Sequence, residues 1–283
     1  MVESTALEMR HGGNSIGGSN PSLSAICFPA RSHGPTVDSA SFAAADTSML
    51  LRMEETMLEK IMSVLSAVAP VYHPPLKPYV SILHRDAGFL VLDKPSGLLS
   101  VPGRHTALSD SLATRVQEEY PQAQMINRLD KDTSGIVLMS LDRKAHAAIA
   151  AQFEARTTEK SYVAVVWRRV EEEQGLIDLP LAIDPDNKPR HRVDHAHGKP
   201  AQTRWQVLGR DERTTRLRLF PLTGRTHQLR VHMKALGHVI LGDEFYAEGE
   251  ALAAADRLLL HAEELSFRHP DGRAVSFTAP CPF

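Results

Sequence analysis

The sequence predicts an α+β fold in which flanking helices cover a large mixed, mainly antiparallel sheet. Short apolar segments typical of buried strands outnumber the segments with helical periodicity. Strands and helices do not alternate regularly, as they would in a doubly wound parallel sheet. With 283 residues the chain is long enough to bury one large core or two small ones.

The first 78 residues are expected to lie outside this fold. Residues 1–48 are rich in Gly, Ser, Ala and Asn and lack apolar periodicity, which predicts disorder. Residues 49–78 combine a short amphipathic helix with the proline-rich linker PVYHPPLKP, which cannot continue a helix. The folded domain is therefore predicted to span residues 79–283.

Strands and two helices follow in this domain. Strands are expected at GFLVLDKP, GIVLMSL, KSYVAVVW, AQTRWQVL, TRLRLFPL, HVIL and AVSFTA. The first helix, DSLATRVQEEY, has Ser109 or Asp110 as its expected N-cap. The second helix places Ala145, Ile149 and Phe153 on one side.

Composition excludes several classes of protein. A hydrophobic content of 42% and a charged content of 23% are near the averages of globular chains, which excludes collagen and coiled coil for most of the chain. Cys27 and Cys281 are too few for a disulfide framework or a cysteine zinc site, which indicates a reducing compartment. Since no secretory signal and no 18-residue apolar stretch occurs, a cytoplasmic location without a membrane partner is expected.

Positive charge is concentrated in one part of the chain. The formal net charge is -2, yet residues 190–234 contain eleven Lys and Arg against three acids. Such a segment is typical of a surface that binds phosphates. A solvated strand face explains the same charges, and charge alone leaves both interpretations open.

Two motifs contain candidate functional residues. In INRLDKDTSG, Arg128, Asp130 and Asp132 alternate along a loop before a buried strand, where a carboxylate can project into a cleft. An Arg–Asp pair that ties the loop to the surface is the structural alternative. In LTGRTHQLRVHMKALG, Thr226 is the expected helix N-cap, and Arg225 lies just before a helix terminus that attracts anions. An ordinary amphipathic helix would explain this second motif equally well.

Other chemistry finds little support in the sequence. The cluster His191, His195 and His197 lies among Arg and Lys, which would repel a cation, so no metal site is predicted. No Walker loop, dinucleotide fingerprint or GxSxG motif occurs. Tyr162, at the start of a strand, is explained by core packing alone.

Five segments together resemble the RluA family of RNA pseudouridine synthases. They are DKPSGLLSVPGR, NRLDKDTSGIVLM, KSYVAVVW, GKPAQTRWQVL and LTGRTHQLRVHMKALGHVILGDEFY. The match covers residues 80–283 and is similar to members without a separate S4 RNA-binding domain. It implies a central RNA-binding cleft and isomerisation of uridines to pseudouridine in large-subunit rRNA and tRNA anticodon stem-loops. It also implies RNA rather than DNA as the partner, a monomer, no cofactor and no metal.

The resemblance assigns catalytic roles to three residues. The aspartate of the RLD motif falls on Asp130, which is expected to be the nucleophile. The tyrosine of the K-x-Y motif falls on Tyr162, which would stack on the uracil. The first arginine of GRTHQLR falls on Arg225, which would pair with Asp130 and keep it ionised under the base.

The remaining assignments concern RNA binding. Arg128 would fill the gap left by the flipped nucleotide, Leu229 would wall the base pocket, and Lys160 would lie nearby. Asn127 replaces a histidine that many members have beside the catalytic acid, which puts fine RNA positioning in doubt. Whether the acid attacks the sugar, attacks the base or removes a ribose proton stays open.

Two alternatives to an isomerase remain at this stage. The Asn127 replacement would also suit a non-catalytic RNA-binding or ribosome-assembly protein that keeps the fold. A carboxylate beside a sugar would also suit a glycosidase, which would release free uracil.

Overall fold

Twelve strands are present in residues 71–283, the part of the chain that this computed structural model describes. In chain order they are β1 (Ile82–Arg85), β2 (Phe89–Lys94), β3 (Gln124–Met125), β4 (Ser134–Ser140), β5 (Glu159–Trp167), β6 (Gln174–Asp178), β7 (Leu181–Ile183), β8 (His191–Val193), β9 (Gln202–Arg210), β10 (Thr214–Pro221), β11 (Leu260–Arg268) and β12 (Ala274–Thr278). The disorder and the amphipathic helix predicted upstream lie outside the described residues.

Ten of these strands form one sheet. Its main path is β1-β2-β4-β11-β5-β10-β9-β6, with β3 beside β4 and β12 beside β11. Every pair is antiparallel except β4 and β11, which are parallel. Strands β7 and β8 form a separate antiparallel pair. The predicted mixed, mainly antiparallel sheet is therefore confirmed.

The helices of the described region are short. They are α1 (Leu112–Glu119), α2 (Arg143–Glu154), α3 (Gln228–Ala235) and α4 (Gly249–Ala253). Neither Ser109 nor Asp110 caps α1, so that prediction was wrong. Ser111 is the N-cap, because its hydroxyl accepts from Thr114 N–H at 3.2 Å while the Thr114 hydroxyl accepts from Ser111 N–H at 2.9 Å.

Strand β2 is buried on both faces. Because successive side chains of a strand point to opposite faces, Leu90 and Leu92 pack into the cluster that contains Leu112 of α1. Phe89 and Val91 pack into the opposite cluster, which contains Ile149 of α2. Because α1 covers one face of β2 and α2 covers the other, GFLVLDKP contains a continuous apolar segment rather than an alternating pattern.

The parallel pair β4–β11 depends on a glycine. Gly135 has a φ of +111°, and a Cβ there would overlap the backbone of Ala262. Only glycine combines this backbone conformation with so close an approach. The two strands thereby meet next to the loop that precedes β4.

The predicted strand HVIL is not part of the sheet. Its residues 238–241 form an isolated bridge, Ile240 to Val166, beside β5. Trp167 N–H donates to the Val239 carbonyl at 2.8 Å, and Leu241 N–H donates to the Val165 carbonyl at 3.0 Å. These bonds continue along the edge of β5 beyond its pairing with β11, which ends at Leu260 opposite Ala164.

The proline-rich linker packs against the domain. The Tyr72 hydroxyl donates to the Asp110 carbonyl at 3.0 Å and accepts from Leu99 N–H at 2.9 Å. The buried Arg115 guanidinium donates to the Pro75 carbonyl at 2.8 Å and to the Tyr79 carbonyl at 3.1 Å. Residues 72–78 therefore contribute to the folded unit.

Replacing Tyr72 with phenylalanine tests this contribution. The variant leaves a partly buried carbonyl and N–H without their partner, so we expect the free energy of unfolding to fall by about 1 kcal/mol. Tyr79→Phe is the matched control, since it removes only an exposed hydroxyl bonded to Glu118 and should cost less than about 0.5 kcal/mol. Equal losses in urea denaturation would contradict a structural role for the linker.

Candidate active site

The loop 126–133 presents Arg128 and Asp130 on one side and Leu129 on the other. Leu129 is buried in the core, and Ser100 holds its backbone, accepting from its N–H at 3.1 Å and donating to its carbonyl at 2.7 Å. In an extended chain the neighbouring side chains must then point the opposite way. Asp130 therefore faces a cleft with 28% of its side chain exposed.

Two side chains, those of Lys94 and Ser96, hold the rest of this loop. The Lys94 ammonium donates to the carbonyls of Pro95, Leu98 and Lys131 at 2.7 to 2.9 Å. The Ser96 hydroxyl donates to the Asp132 carbonyl at 2.6 Å. Burial lowers the pKa of Lys94 to about 7, and the charges of Asp132 and Asp130 oppose that shift.

Lys94→Met is expected to destabilise the protein and loosen the loop. Three carbonyls lose a donor in a buried place, so we expect the free energy of unfolding to fall by about 2 kcal/mol. Lys131→Met is the control, because the Lys131 side chain is 40% exposed and its ammonium contacts the adjacent Asp132 at 3.3 Å. A thermal melt in which both variants unfold together with wild type would contradict this role of Lys94.

A cavity of about 350 Å³ lies beside Asp130. The loop forms one wall, β5 forms the second and the segment leading into α3 forms the third. Six of the seven predicted site residues line it, namely Arg128, Asp130, Lys160, Tyr162, Arg225 and Leu229. Residues from three distant parts of the sequence are thus brought together.

Asn127 is the predicted site residue that does not line this cavity. Its amide oxygen accepts a hydrogen bond from Leu138 N–H at 2.8 Å. This hydrogen bond ties the loop to β4, whereas the prediction had placed Asn127 among the RNA-binding residues. The departure from histidine at this position therefore falls on a supporting residue.

The expected pairing of Arg225 with Asp130 was wrong. Arg225 Nε donates to the Pro200 carbonyl at 3.1 Å. The guanidinium beside the acid belongs to Arg230, whose Nη1 lies 3.4 Å from Asp130 Oδ2. Arg225 lies before α3, at the rim of the cavity. Arg230 lies in the first turn of the helix, on the side that faces the loop.

Arg230 is itself anchored by a buried carboxylate. Its Nε and Nη2 donate to the two oxygens of Asp243 at 2.8 and 2.6 Å, and Asp243 is fully buried. Burial opposes the charge of Arg230, but the hydrogen bonds and charge of Asp243, with Asp130 adding to them, raise its pKa overall. This bidentate pair fixes the guanidinium that reaches Asp130.

The sequence is similar to those of known RNA pseudouridine synthases. The family model of RNA pseudouridylate synthases matches residues 88–235. The dual-specificity RNA pseudouridine synthases RluA of Vibrio vulnificus and Escherichia coli are each 50% identical, over 218 and 214 residues. These alignments cover 75% of this chain and 87% and 98% of the relatives.

The chain belongs to the RluA family of RNA pseudouridine synthases. A solved structure, human RNA pseudouridylate synthase domain containing 1, is 27% identical with a TM-score of 0.64, and covers 75% of this chain and 87% of its own. Like its family, this synthase isomerises uridine to pseudouridine in RNA.

The N-cap of helix α3 in the synthase differs from the predicted one. Thr226 is not its N-cap; His227 occupies that position in the left-handed conformation, with a φ of 55°. The Gln228 side-chain oxygen instead accepts from Arg225 N–H at 3.0 Å and from the Thr223 hydroxyl at 2.7 Å. These hydrogen bonds close a turn before α3, and the turn directs Arg230, rather than Arg225, toward Asp130.

Tyr162 and Lys160 form the β5 wall of the synthase cavity. Burial, with the Asp130 charge adding to it, raises the pKa of Tyr162, so its phenol stays protonated at neutral pH. Burial lowers the pKa of Lys160, and the nearby charge of Arg156 acts in the same direction. The Lys160 ammonium also lies 5.6 Å from the centre of the Phe153 ring.

A larger cavity, of about 590 Å³, lies on the other side of the same loop. Its lining includes Lys94, Asp132 and Arg257 but not Asp130, Tyr162 or Arg230. The smaller cavity is the candidate active site because it is lined by the motif residues Asp130, Tyr162 and Leu229 and by Arg230, which lies 3.4 Å from Asp130.

His191 and His197, two members of the histidine cluster, contact different partners. The His191 ring lies 5.4 Å from that of His227, and His197 contacts Asp194 at 3.7 Å. Between residues 71 and 283 no group of three His, Cys, Asp or Glu side chains is arranged to hold a metal ion. In the same range no helix combines the length and apolar character needed to cross a membrane.

Four residues of the site escaped the sequence analysis, namely His227, Arg230, Asp243 and Tyr246. Arg230 lies in the motif that was identified, and Asp243 and Tyr246 lie in the segment GDEFY that carried part of the resemblance. A second arginine in the helix and an acid after it were signals of a buried ion pair. The sequence did not indicate which arginine faces the loop.

Proposed function

We propose that this synthase modifies uridines in large-subunit rRNA and in tRNA anticodon stem-loops, with Asp130 as the catalytic carboxylate. One observation carries the catalytic part: Asp130 opens into a cavity of about 350 Å³ with Arg230 3.4 Å from one oxygen. The substrate part is supported by the relatives, which are named dual-specificity RNA pseudouridine synthases.

Base flipping brings a uridine to this site. A stacked or paired uracil is out of reach of a side chain, and its extrusion costs a few kcal/mol. Arg128 is exposed at the cavity mouth, where it fills the space that the extruded nucleotide leaves. Cations along the cavity rim hold the RNA phosphates, and Arg225 and Lys160 are among them.

The reaction exchanges one bond of the sugar for another. The N1–C1′ bond breaks, the uracil turns, C5 bonds to C1′, C5 releases its proton to solvent and N1 takes one up. Positive character develops on the ribose, and the Asp130 carboxylate stabilises it or attacks covalently. RNA closes this cavity to water, and the guanidinium of Arg230 lies 3.4 Å from one oxygen of Asp130 there.

The other walls of the cavity orient the base. Tyr162 stacks against the uracil, its protonated phenol lying near Asp130. Leu229, with 7% of its surface exposed, walls the base pocket. The balanced reaction requires no redox change, so we propose a synthase without cofactor or metal. It acts as a monomer in the cytoplasm on RNA rather than DNA.

Pseudouridine mapping of cells that lack this synthase tests the substrate assignment. We expect specific sites to be lost in both large-subunit rRNA and tRNA, and re-expression to restore them. A map that is unchanged in both RNAs would contradict the assignment. Loss in only one of them would reject dual specificity and retain the catalytic proposal.

A further inference from the structure

His227 is a buried, conformationally unusual residue that the catalytic proposal leaves unexplained. Its side chain is 8% exposed, and its Nε2 lies 3.8 Å from Asp130 Oδ2. Its φ of 55° is uncommon for a residue with a side chain and is found mostly where the surroundings impose it. The ring stacks on Phe245 at 5.5 Å and 24°.

The tautomer of His227 follows from its second nitrogen. Nδ1 lies 2.7 Å from the Tyr246 hydroxyl oxygen. That oxygen already accepts from the backbone N–H of His191 at 2.8 Å. Among the described residues, His227 Nδ1 is the acceptor left for the hydroxyl proton. When Tyr246 donates to Nδ1, the neutral ring carries its own proton on Nε2, which faces Asp130.

The two donors converge on the same carboxylate oxygen. Arg230 Nη1 lies 3.4 Å from Asp130 Oδ2, and His227 Nε2 lies 3.8 Å from that oxygen. Within the described part of the chain, Oδ1 of Asp130 has no hydrogen-bond partner among the side chains. One oxygen is therefore held by the protein, and the other is left to face the ribose and uracil. Catalytic contacts of this length shorten when substrate expels water from the site.

We propose that the Tyr246 hydroxyl fixes His227 as its Nε2–H tautomer and that His227 is a positioning residue which, with Arg230, orients Asp130 so that Oδ1 faces the substrate. The proposal rests on Asp130 being the catalytic carboxylate. It assigns to Tyr246 a role through His227, since its hydroxyl makes no contact with Asp130.

The charges around His227 determine its response to pH. They are those of Asp130 on the loop, Arg230 on α3, His191 on β8 and Asp243 in the segment after α3, and the neutral Tyr246 hydroxyl from the same segment also faces the ring. Burial lowers the pKa of His227, and the Asp130 charge opposes this less strongly. The neutral ring is therefore the working form at neutral pH. On the Nδ1 side of the ring, the hydrogen bond from the Tyr246 hydroxyl is the contact that favours one neutral tautomer over the other.

Tyr246→Phe is the variant that isolates this contact, because it keeps the ring and removes the hydroxyl. Without the donor, neutral His227 can carry its proton on Nδ1 and turn the Nε2 lone pair toward the carboxylate. Protonation restores Nε2–H, so lowering the pH should restore activity. His227→Asn is the companion variant, since asparagine tolerates the left-handed conformation but is too short to reach Asp130.

The experiment measures tritium release from C5 with excess enzyme over [5-³H]uridine-labelled total RNA from cells that lack the synthase. We expect Tyr246→Phe to slow the single-turnover rate about tenfold near pH 8 and to approach the wild-type rate near pH 5.5. His227→Asn should be slower by about thirtyfold at every pH. The enzyme concentration at half-maximal rate should change by less than about threefold in both.

Wild-type rates across the pH range in both variants would overturn the proposal. A deficit of Tyr246→Phe that is constant over the pH range would also overturn it, because the hydroxyl would then support only the fold. If His227→Asn does not fold, Tyr246→Phe still decides the question. Asp130→Asn separates the two proposals: full activity in that variant would reject the catalytic assignment, whereas an inactive Asp130→Asn beside normal Tyr246→Phe and His227→Asn would reject only the role of His227.

Discussion

Replacing Asp130 with asparagine is expected to reduce pseudouridine formation by about four orders of magnitude or more, because the neutral amide can neither attack nor stabilise positive charge. RNA affinity should stay within about tenfold of wild type, since phosphate contacts dominate binding. Tritium release from C5 measures the first quantity, and filter binding measures the second.

Asp132→Asn is the matched control for this prediction. Asp132 lies two residues along the same loop, lines the larger cavity and contacts Lys131 at 3.3 Å. Its replacement should leave turnover within about threefold of wild type. Loss of both turnover and RNA binding in Asp130→Asn would mean that Asp130 supports the fold and not the reaction.

Arg230→Met should have the second largest effect, and it should act on both activity and stability. The variant removes the guanidinium beside Asp130 and leaves Asp243 buried without a partner. Breaking one side of a buried pair costs about 3 to 5 kcal/mol of unfolding free energy. We also expect the turnover rate to fall by about a hundredfold or more, as for a donor beside developing charge.

Two further variants separate these effects. The double variant Arg230→Met, Asp243→Leu removes both charges, so it should recover much of the stability while staying inactive. Arg225→Met removes an arginine that contacts a carbonyl at the rim, so it should weaken RNA binding and leave the saturated rate within about tenfold. A larger loss of that rate in Arg225→Met than in Arg230→Met would contradict the corrected pairing.

The sequence was sufficient where local chemistry decides the structure. The apolar segments of β2 and β4 and the spacing of Ala145 and Ile149 on α2 predicted the main sheet and a flanking helix, because these elements are buried along their length. The site residues Asp130, Tyr162 and Leu229 were predicted from the family resemblance, and the structure brings them to one cavity.

Strand β11 was missed because its residues favour another structure. LHAEELSFR is rich in Leu, Ala and Glu, which favour helix. It nevertheless lies between β4 and β5 in the middle of the sheet, hydrogen-bonded on both sides. Tertiary packing therefore overrides local preference here, and no window of nine residues contains that information.

The arginine beside Asp130 was misassigned for a different physical reason. The choice between Arg225 and Arg230 depends on where α3 begins and on its rotation about its axis. Both follow from the left-handed His227, which Tyr246 and Phe245 hold from a segment that comes after the helix. Contacts distant in sequence thus determine which side chain of a correctly identified motif reaches the acid.

A crystal structure of the Asp130→Asn protein with a bound substrate stem-loop tests the central claim most directly. We predict a flipped uridine in the cavity beside Tyr162, with its C1′ within about 3.5 Å of the side chain at position 130. Arg230 should still be paired with Asp243. A uridine that stays stacked in the RNA, or that occupies the cavity lined by Lys94 and Asp132, would contradict the account.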